Sequence, residues 1–439
     1  MKINEANGVN KKIYISMNFK NYFLLGLLLC GISACSSDDP AGPEEPILQK
    51  AKFAVSVKND QVAKRTKAGN TDYDKTVNKL TVGIFGDSWS TIYTQTPTTS
   101  VDGQFSQIGP QEVYAGDVQV VVVANASTKV EAALKSAKTM EEFIATPITL
   151  SDEYSENGLT MSSQVFDDIK IIADKTNYFG YAESKGDLPS VDGQTDGVEI
   201  KGDGAVKLVR NVASVSLKSI NLSSEGNYNS KSFLLKEVFV ANVKGLSQAA
   251  SREEWGKIET PFTITADNDY LKYWVGEMFE GTMDMGTYKY GTQTESENLK
   301  KEETENCLLT DSWNKIPASI DYPFYVYENV NGETNSTGKN YTLFVVRGDY
   351  TYTSKGGGDI TDKDRFYAVI VNNPADMNAS NYEGVGKHDY VKRNCKYEIN
   401  LTILGPGSEV PYDPMISTNL STAVKVESWN VKNVHEEVE

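Results

Sequence analysis

Apolar and polar residues alternate along much of the chain with a period of two, the mark of strands with one face turned inward. Phe53, Val55 and Val57 share one face of a predicted strand over 51–58, whose opposite face carries Lys52, Ser56 and Lys58. Leu80, Val82 and Ile84 repeat the pattern. The run Val118 to Ala124 is almost wholly apolar and predicts a strand covered on both faces. Further strands are predicted over Val206 to Leu217, Phe233 to Val243, Tyr341 to Val346, Phe366 to Val371 and Tyr397 to Leu404. Val130, Ala133, Leu134, Ala137 and Phe143 recur at helical spacing and predict one helix over about 129–145. Many short strands with turn-rich joins predict an all-β fold with one or two short helices, arranged as β-sandwiches. Gly202-Asp203-Gly204 ahead of a new strand places a domain join near 202–206, and the polar stretch 286–310 reads as a surface excursion.

Composition narrows the function. The chain has 439 residues, enough for two domains with real interiors, and 43 Lys plus Arg against 60 Asp plus Glu give a net charge of −17. That acidic balance, without a long basic stretch, argues against nucleic acid as a partner. With only two histidines, His388 and His435, histidine-based zinc sites and catalytic triads are disfavoured. The sequence has no G-x-S-x-G, H-E-x-x-H or Walker A motif, so no catalytic, cofactor-binding or metal-binding residue is assigned. Asp359, Asp362 and Asp364 supply oxygen ligands of the kind calcium takes, but their spacing departs from the EF-hand and a solvated hairpin loop is expected. Asp267 and Asp269 are similarly weak. Tyr322, Tyr325 and Tyr327 are of a type that stacks on sugars, yet tyrosine is common in strands and a structural role is expected.

The segment from Met17 combines Lys20, a short apolar run from Tyr22 to Gly31, and Ile32-Ser33-Ala34-Cys35. The run is too short to span a bilayer and resembles a signal peptide ending in a bacterial lipobox, with Cys35 as the lipidated residue. An ordinary signal peptide cleaved near Ala34 is the alternative. The following SSDDPAGPEEP cannot bury apolar area and reads as a solvated tether. Apart from Cys30 and Cys35, only Cys307 and Cys395 remain, and the sequence does not say whether they bond.

Several segments together resemble the fimbrillin family, the pilus subunits of Bacteroidota. They are the lipobox, LTVGIFG at 80–86, VQVVVVANAS at 118–127, Leu159-Thr160-Met161-Ser162, VKLVRNVASVSL at 206–217, and RNCKYEINLTILGPG at 393–407 ahead of a last strand with Trp429. The resemblance implies two tandem transthyretin-like β-sandwich domains. It also implies export as a lipoprotein to the outer membrane, cleavage by a trypsin-like, arginine-directed protease after the first strand, and polymerisation with other fimbrial subunits by strand exchange. On that reading 1–34 is the signal peptide, 35–65 the tether and removable strand, 66–204 the N-terminal domain and 205–439 the C-terminal domain. The location is a cell-surface fimbrium, with the precursor held by its lipid.

The residues allow this mechanism. Arg65 is the only arginine in the polar segment 59–75, so cleavage there frees Phe53, Val55 and Val57 with their strand. The candidate donor is 422–432, which extends about 36 Å. In it Val424 and Val426 share one face and Trp429 and Val431 the opposite parity, which a bulge near Ser428 reconciles. The same segment also suits a strand that stays in its own domain. The competing function is a lipid-anchored surface protein that binds glycans or host ligands, or a fimbrial tip adhesin.

Overall fold

The computed structural model describes residues 48–58, 77–99, 105–154, 158–181, 197–201, 204–223, 228–241, 243, 246–252, 308–309, 323–329, 334–335, 338–339, 342–373, 382–383, 385–388, 390–409 and 420–428. Cys35, Arg65, Asp267, Asp269, Cys307, Tyr322, Trp429, Val431, His435 and the stretch 286–307 lie outside them.

All but one of the strands of the N-terminal half form two sheets. Its strands are β1 (Lys50–Lys58), β2 (Leu80–Gly86), β3 (Ser90–Gln95), β4 (Thr98–Thr99), β5 (Phe105–Tyr114), β6 (Gly116–Ala124), β7 (Pro147–Thr149), β8 (Met161–Ser162), β9 (Phe166–Ile171), β10 (Thr176–Phe179), β11 (Gly197–Glu199), β12 (Val206–Lys207) and β13 (Val209–Arg210). The first sheet runs β11-β10-β1-β5-β4 with β12 also on β1, and the second runs β13-β8-β6-β2-β3 with β9 on β6. Between them lies a core of Phe53, Val55, Val57, Leu80, Val82, Ile84, Val118, Val120, Val122 and Phe179. As its composition requires, β6 is covered on both sides: Val121 and Val123 belong to the other large core, with Leu134 and Phe143.

The helical stretch is two helices, α1 (Thr128–Ser136) and α2 (Met140–Ile144), not one. The break follows from Thr139-x-x-Glu142. The Thr139 hydroxyl accepts the Glu142 N–H at 3.1 Å, and the Glu142 carboxylate accepts the Lys138 N–H at 2.7 Å, so a new helix start interrupts the old one.

The predicted strand over Val206 to Leu217 is three pieces, and together they carry the chain across the molecule. β12 pairs with β1, β13 pairs with β8, and β14 (Val212–Leu222) opens a third sheet. Pairing with the N-terminal sheets thus extends to Arg210, past the join expected at 204/205. The C-terminal strands are β15 (Asn229–Ala241), β16 (Leu246–Gln248), β17 (Leu308–Leu309), β18 (Phe324–Tyr327), β19 (Thr334–Asn335), β20 (Gly338–Lys339), β21 (Leu343–Thr353), β22 (Asp359–Ile370), β23 (Tyr382–Glu383), β24 (Cys395–Ile403) and β25 (Leu420–Ser428). The third sheet runs β18-β14-β24-β25-β23 and the fourth β17-β15-β21-β22. Val215, Leu217, Phe233, Leu235, Tyr350, Tyr367, Ile399 and Leu401 are among their core residues.

The acidic stretch around Asp359 is strand, not loop. β21 and β22 form a hairpin whose turn closes at Ser354–Gly358, where Gly357 (φ 74°) and Gly358 (φ 125°) take backbone angles that disfavour other residues.

Candidate functional site

β1 is an interior strand. It pairs antiparallel with β5 from Lys50↔Tyr114 to Lys58↔Phe105, and parallel with β10 (Lys52↔Thr176 to Val55↔Phe179) and β12 (Val57↔Val206). Phe53, Ala54, Val55, Ser56 and Val57 are all fully buried. Phe53, Val55 and Val57 face the core, and the Phe53 ring stacks on Phe179 with centroids 5.6 Å apart. On the opposite face Lys52 is exposed and Lys58 half-exposed, but Ser56 is buried and Ala54 is packed with Tyr178 and Tyr181. The reason is the neighbour on that side. Tyr178 pairs with Ala54, and its ring meets Tyr181 edge to face at 5.0 Å. Gly180, at φ 83°, lies so close that a Cβ there would sit 2.6 Å from the Ser56 carbonyl oxygen. Side chains also tie the strand down: the Asn177 amide donates to the Lys52 carbonyl at 3.2 Å, and Gln107 donates to the Ser56 hydroxyl at 3.4 Å. The parallel partners were not predicted, although Thr176-Asn177-Tyr178-Phe179-Gly180 carries the aromatic run and glycine of a strand end.

β25 is held more lightly. It pairs antiparallel with β24 from Leu420↔Ile403 to Ser428↔Cys395, and parallel with β23 at only Tyr382↔Val426 and Glu383↔Glu427. Val424 and Val426 share a face as expected; Val426 is fully buried, while Leu420 and Val424 are half-buried against the core. Ser421, Ala423 and Lys425 are exposed on the other face, where Lys425 bridges Glu383 at 3.1 Å.

A buried polar network fixes the crossing from one half to the other. Arg393 is fully buried and bridges Glu328 at 2.8 Å. It also donates to the Asn211 side chain at 3.1 Å and the Ser247 hydroxyl at 3.3 Å. Asn211 in turn accepts from the Ser162 hydroxyl at 3.0 Å and donates to the Ala249 carbonyl at 3.0 Å. The Asn394 side chain accepts the Arg210 N–H at 3.3 Å. Such pairing is needed, because a buried guanidinium left without partners is strongly destabilising.

Glu153, in the 3-10 turn Leu150–Tyr154, is fully buried beside this network and accepts from the Tyr327 hydroxyl at 2.8 Å and the Thr160 N–H at 2.7 Å. Burial raises its carboxyl from the ordinary 4.5 to about 7, against the opposing pull of those two donors and the Arg393 charge. The folded chain then holds a proton that the unfolded chain releases. The stabilising contribution is complete below the unfolded value and is lost as pH rises through about 7. Glu153→Gln is expected to gain roughly 3 kcal/mol on the wild type between about pH 5 and about pH 8, read as the variant-minus-wild-type difference in urea unfolding. An unchanged difference across that range would place the proton elsewhere.

The other candidates resolve into structural roles. Asp364 accepts from Lys236 and Arg347, each at 2.9 Å, and these cations hold its carboxyl below the usual range. Asp359 accepts from the Thr353 hydroxyl at 2.9 Å, and Asp362 bridges Arg365 at 3.6 Å. Tyr325 and Tyr327 are buried, so neither offers a face to a sugar. His388 is held between the Gly386 carbonyl (2.7 Å) and the Tyr397 hydroxyl (2.8 Å). Cys395 is a free, buried thiol, pushed up to about 12 by desolvation.

Paired sheets, with α-helix only at 128–144 among the described residues, define an all-β protein. Comparisons with known proteins make this specific. The family model of the major fimbrial subunit protein FimA matches residues 50–210, and that of the FimA4 pilin C-terminal domain matches 322–429. The crystal structure of a candidate cell adhesion protein from Parabacteroides distasonis is 42% identical with a TM-score of 0.68, covering 88% of this chain and 100% of that one. Major fimbrium subunit FimA type-5 of Porphyromonas gingivalis is 24% identical over 95% of this chain and 98% of its own. A candidate fimbrium tip subunit, Fim1C of Parabacteroides distasonis, is 23% identical over 90% and 89%. The chain belongs to the fimbrillin family of Bacteroidota. It is a structural subunit of a cell-surface fimbrium and associates with other fimbrial subunits.

Proposed function

We propose that this subunit is exported as a lipoprotein precursor through Cys35, matured by an arginine-directed, trypsin-like protease at Arg65, and polymerised by strand exchange. The observation that carries the reading is the position of β1: a strand buried on both faces in the middle of a sheet, at the end of the chain that cleavage would release. Phe53, Val55 and Val57 contribute about 1.5–3 kcal/mol each. Their loss uncovers apolar surface and leaves the ladder edges of β5, β10 and β12 unpaired. A strand added from outside restores both, with main-chain bonds for affinity and pockets for register. β25 is the proposed donor, since in its own domain it buries one side chain fully where β1 buries five. Until cleavage the precursor is anchored to the outer membrane by its lipid.

Arg65→Ala is expected to leave an uncut monomer. Protein from residue 36 onward, treated briefly with a trypsin-like protease, is read by the mass of its new N-terminus and by an unheated denaturing gel. The wild type should begin at Thr66 and run as a ladder. A ladder of equal length from Arg65→Ala would sink the site assignment, and cleavage at Lys64 or Lys67 in that variant would show which neighbour substitutes.

A further inference from the structure

We propose that the groove left by β1 selects its occupant by two small-residue slots on its outer face, filled in the precursor by Ala54 and Ser56 and in the polymer by Ser421 and Ala423 of a second copy of this chain. The inference rests on the strand-exchange reading above and adds its register. Five consecutive buried residues, Phe53-Ala54-Val55-Ser56-Val57, mean that the groove has two lined faces. The inner face takes large apolar side chains. The outer face does not: Tyr178 and Tyr181 close over Ala54, and the Ser56 side chain is fully buried with its hydroxyl accepting from Gln107 at 3.4 Å. Only a small side chain fits either position, and neither place has room for a charged one without stripping its water. At both ends the buried box gives way to lysine, Lys52 exposed and Lys58 half-exposed.

β25 carries the same pattern. Leu420-Ser421-Thr422-Ala423-Val424 alternates large and small residues, and Lys425 follows. With Thr422 over Val55, the Phe53 and Val57 positions receive Leu420 and Val424, and the slots receive Ser421 and Ala423. The pattern is symmetric about Thr422, so this holds for either chain direction. Lys425 then falls on Lys58 or, reversed, on Lys52. Moving the strand by two so that Val424 lies over Val55 would bury Lys425 in a slot. A register built on Trp429 and Val431 would place the larger Asn430 in one slot, with Ser428 or Lys432 in the other. In the precursor Ser421 and Ala423 face solvent, so their small size has no packing purpose in their own sheet.

That exposure makes the test clean. Ala423→Arg should leave the precursor's melting temperature unchanged and, after protease treatment, lower the yield of gel-stable polymer at least about ten-fold. Ala423→Ser and Lys425→Ala should polymerise as the wild type does. Wild-type polymer from Ala423→Arg, or loss of polymer in Ala423→Ser, would overturn the register. A chain lacking residues 420–439 separates the two levels: if it still polymerises, the C-terminal donor fails, and if it does not while Ala423→Arg does, only the register fails.

Discussion

Deleting residues 420–439 is expected to leave a subunit that folds and is processed yet adds to no polymer. Among the described residues of that segment, Val426 is the one fully buried side chain, with Leu420 and Val424 half-buried. Their loss costs on the order of 2–5 kcal/mol, within what a domain of this size tolerates. β24 keeps β14 on its other side, so the third sheet loses β25 and the pairing of the two-residue β23 beyond it but keeps β18, β14 and β24. The polymer is affected far more, because each proposed junction needs a donated strand. Size-exclusion chromatography before and after protease treatment checks both halves: a folded monomer at each stage is the expected result. Unchanged polymer length would remove the C-terminus from the assembly.

Val55→Asp is expected to prevent the precursor from folding at all. Val55 is fully buried between Phe53 and Val57, in a strand paired on both sides. The described core residues around it are apolar, and placing an unpaired charge in such a site costs several kcal/mol, comparable to the stability of the whole domain. Lys52→Asp, three residues earlier on the exposed part of the same strand, is expected to shift stability by no more than about 0.5 kcal/mol. Thermal melts of the two precursors make the comparison. A Val55→Asp precursor melting near the wild type would mean that β1 is dispensable to the fold and unsuited to gate assembly.

These two variants show which part of the site was legible along the chain. The alternation of Phe53, Val55 and Val57 announced a strand with one buried face, and Val424 with Val426 announced another. What the alternation did not carry was the neighbour. Ser56 is polar and reads as solvent-facing, but it is buried in a strand that 176–180 and β12, more than 115 residues later, run alongside. The small size of Ala54 and Ser56 becomes a constraint only once those partners are in place.

The same holds at the crossing between the halves. VKLVRNVASVSL and RNCKYEINLTILGPG each read as a strand with an arginine near its start. In the folded chain they meet, with Arg210 on Asn394 and Arg393 on Asn211, residues 184 and 182 positions apart. The strand expected from Val206 to Leu217 breaks into three because its successive parts belong to three different sheets. Periodicity alone has no term for that.

By itself, then, the sequence determined the local facts: which segments alternate, that a helical stretch lies near 129–145, and that the class is all-β. These depend on contacts within a few residues, where spacing and backbone preference suffice. Only the tertiary structure decided that β1 lies inside its sheet and β25 near the edge of another, that the outer face of β1 is closed, and that Glu153 is sealed beside a buried arginine. Strand pairing and burial are set by partners distant in sequence, and a period of two fixes which residues share a face without fixing what that face meets.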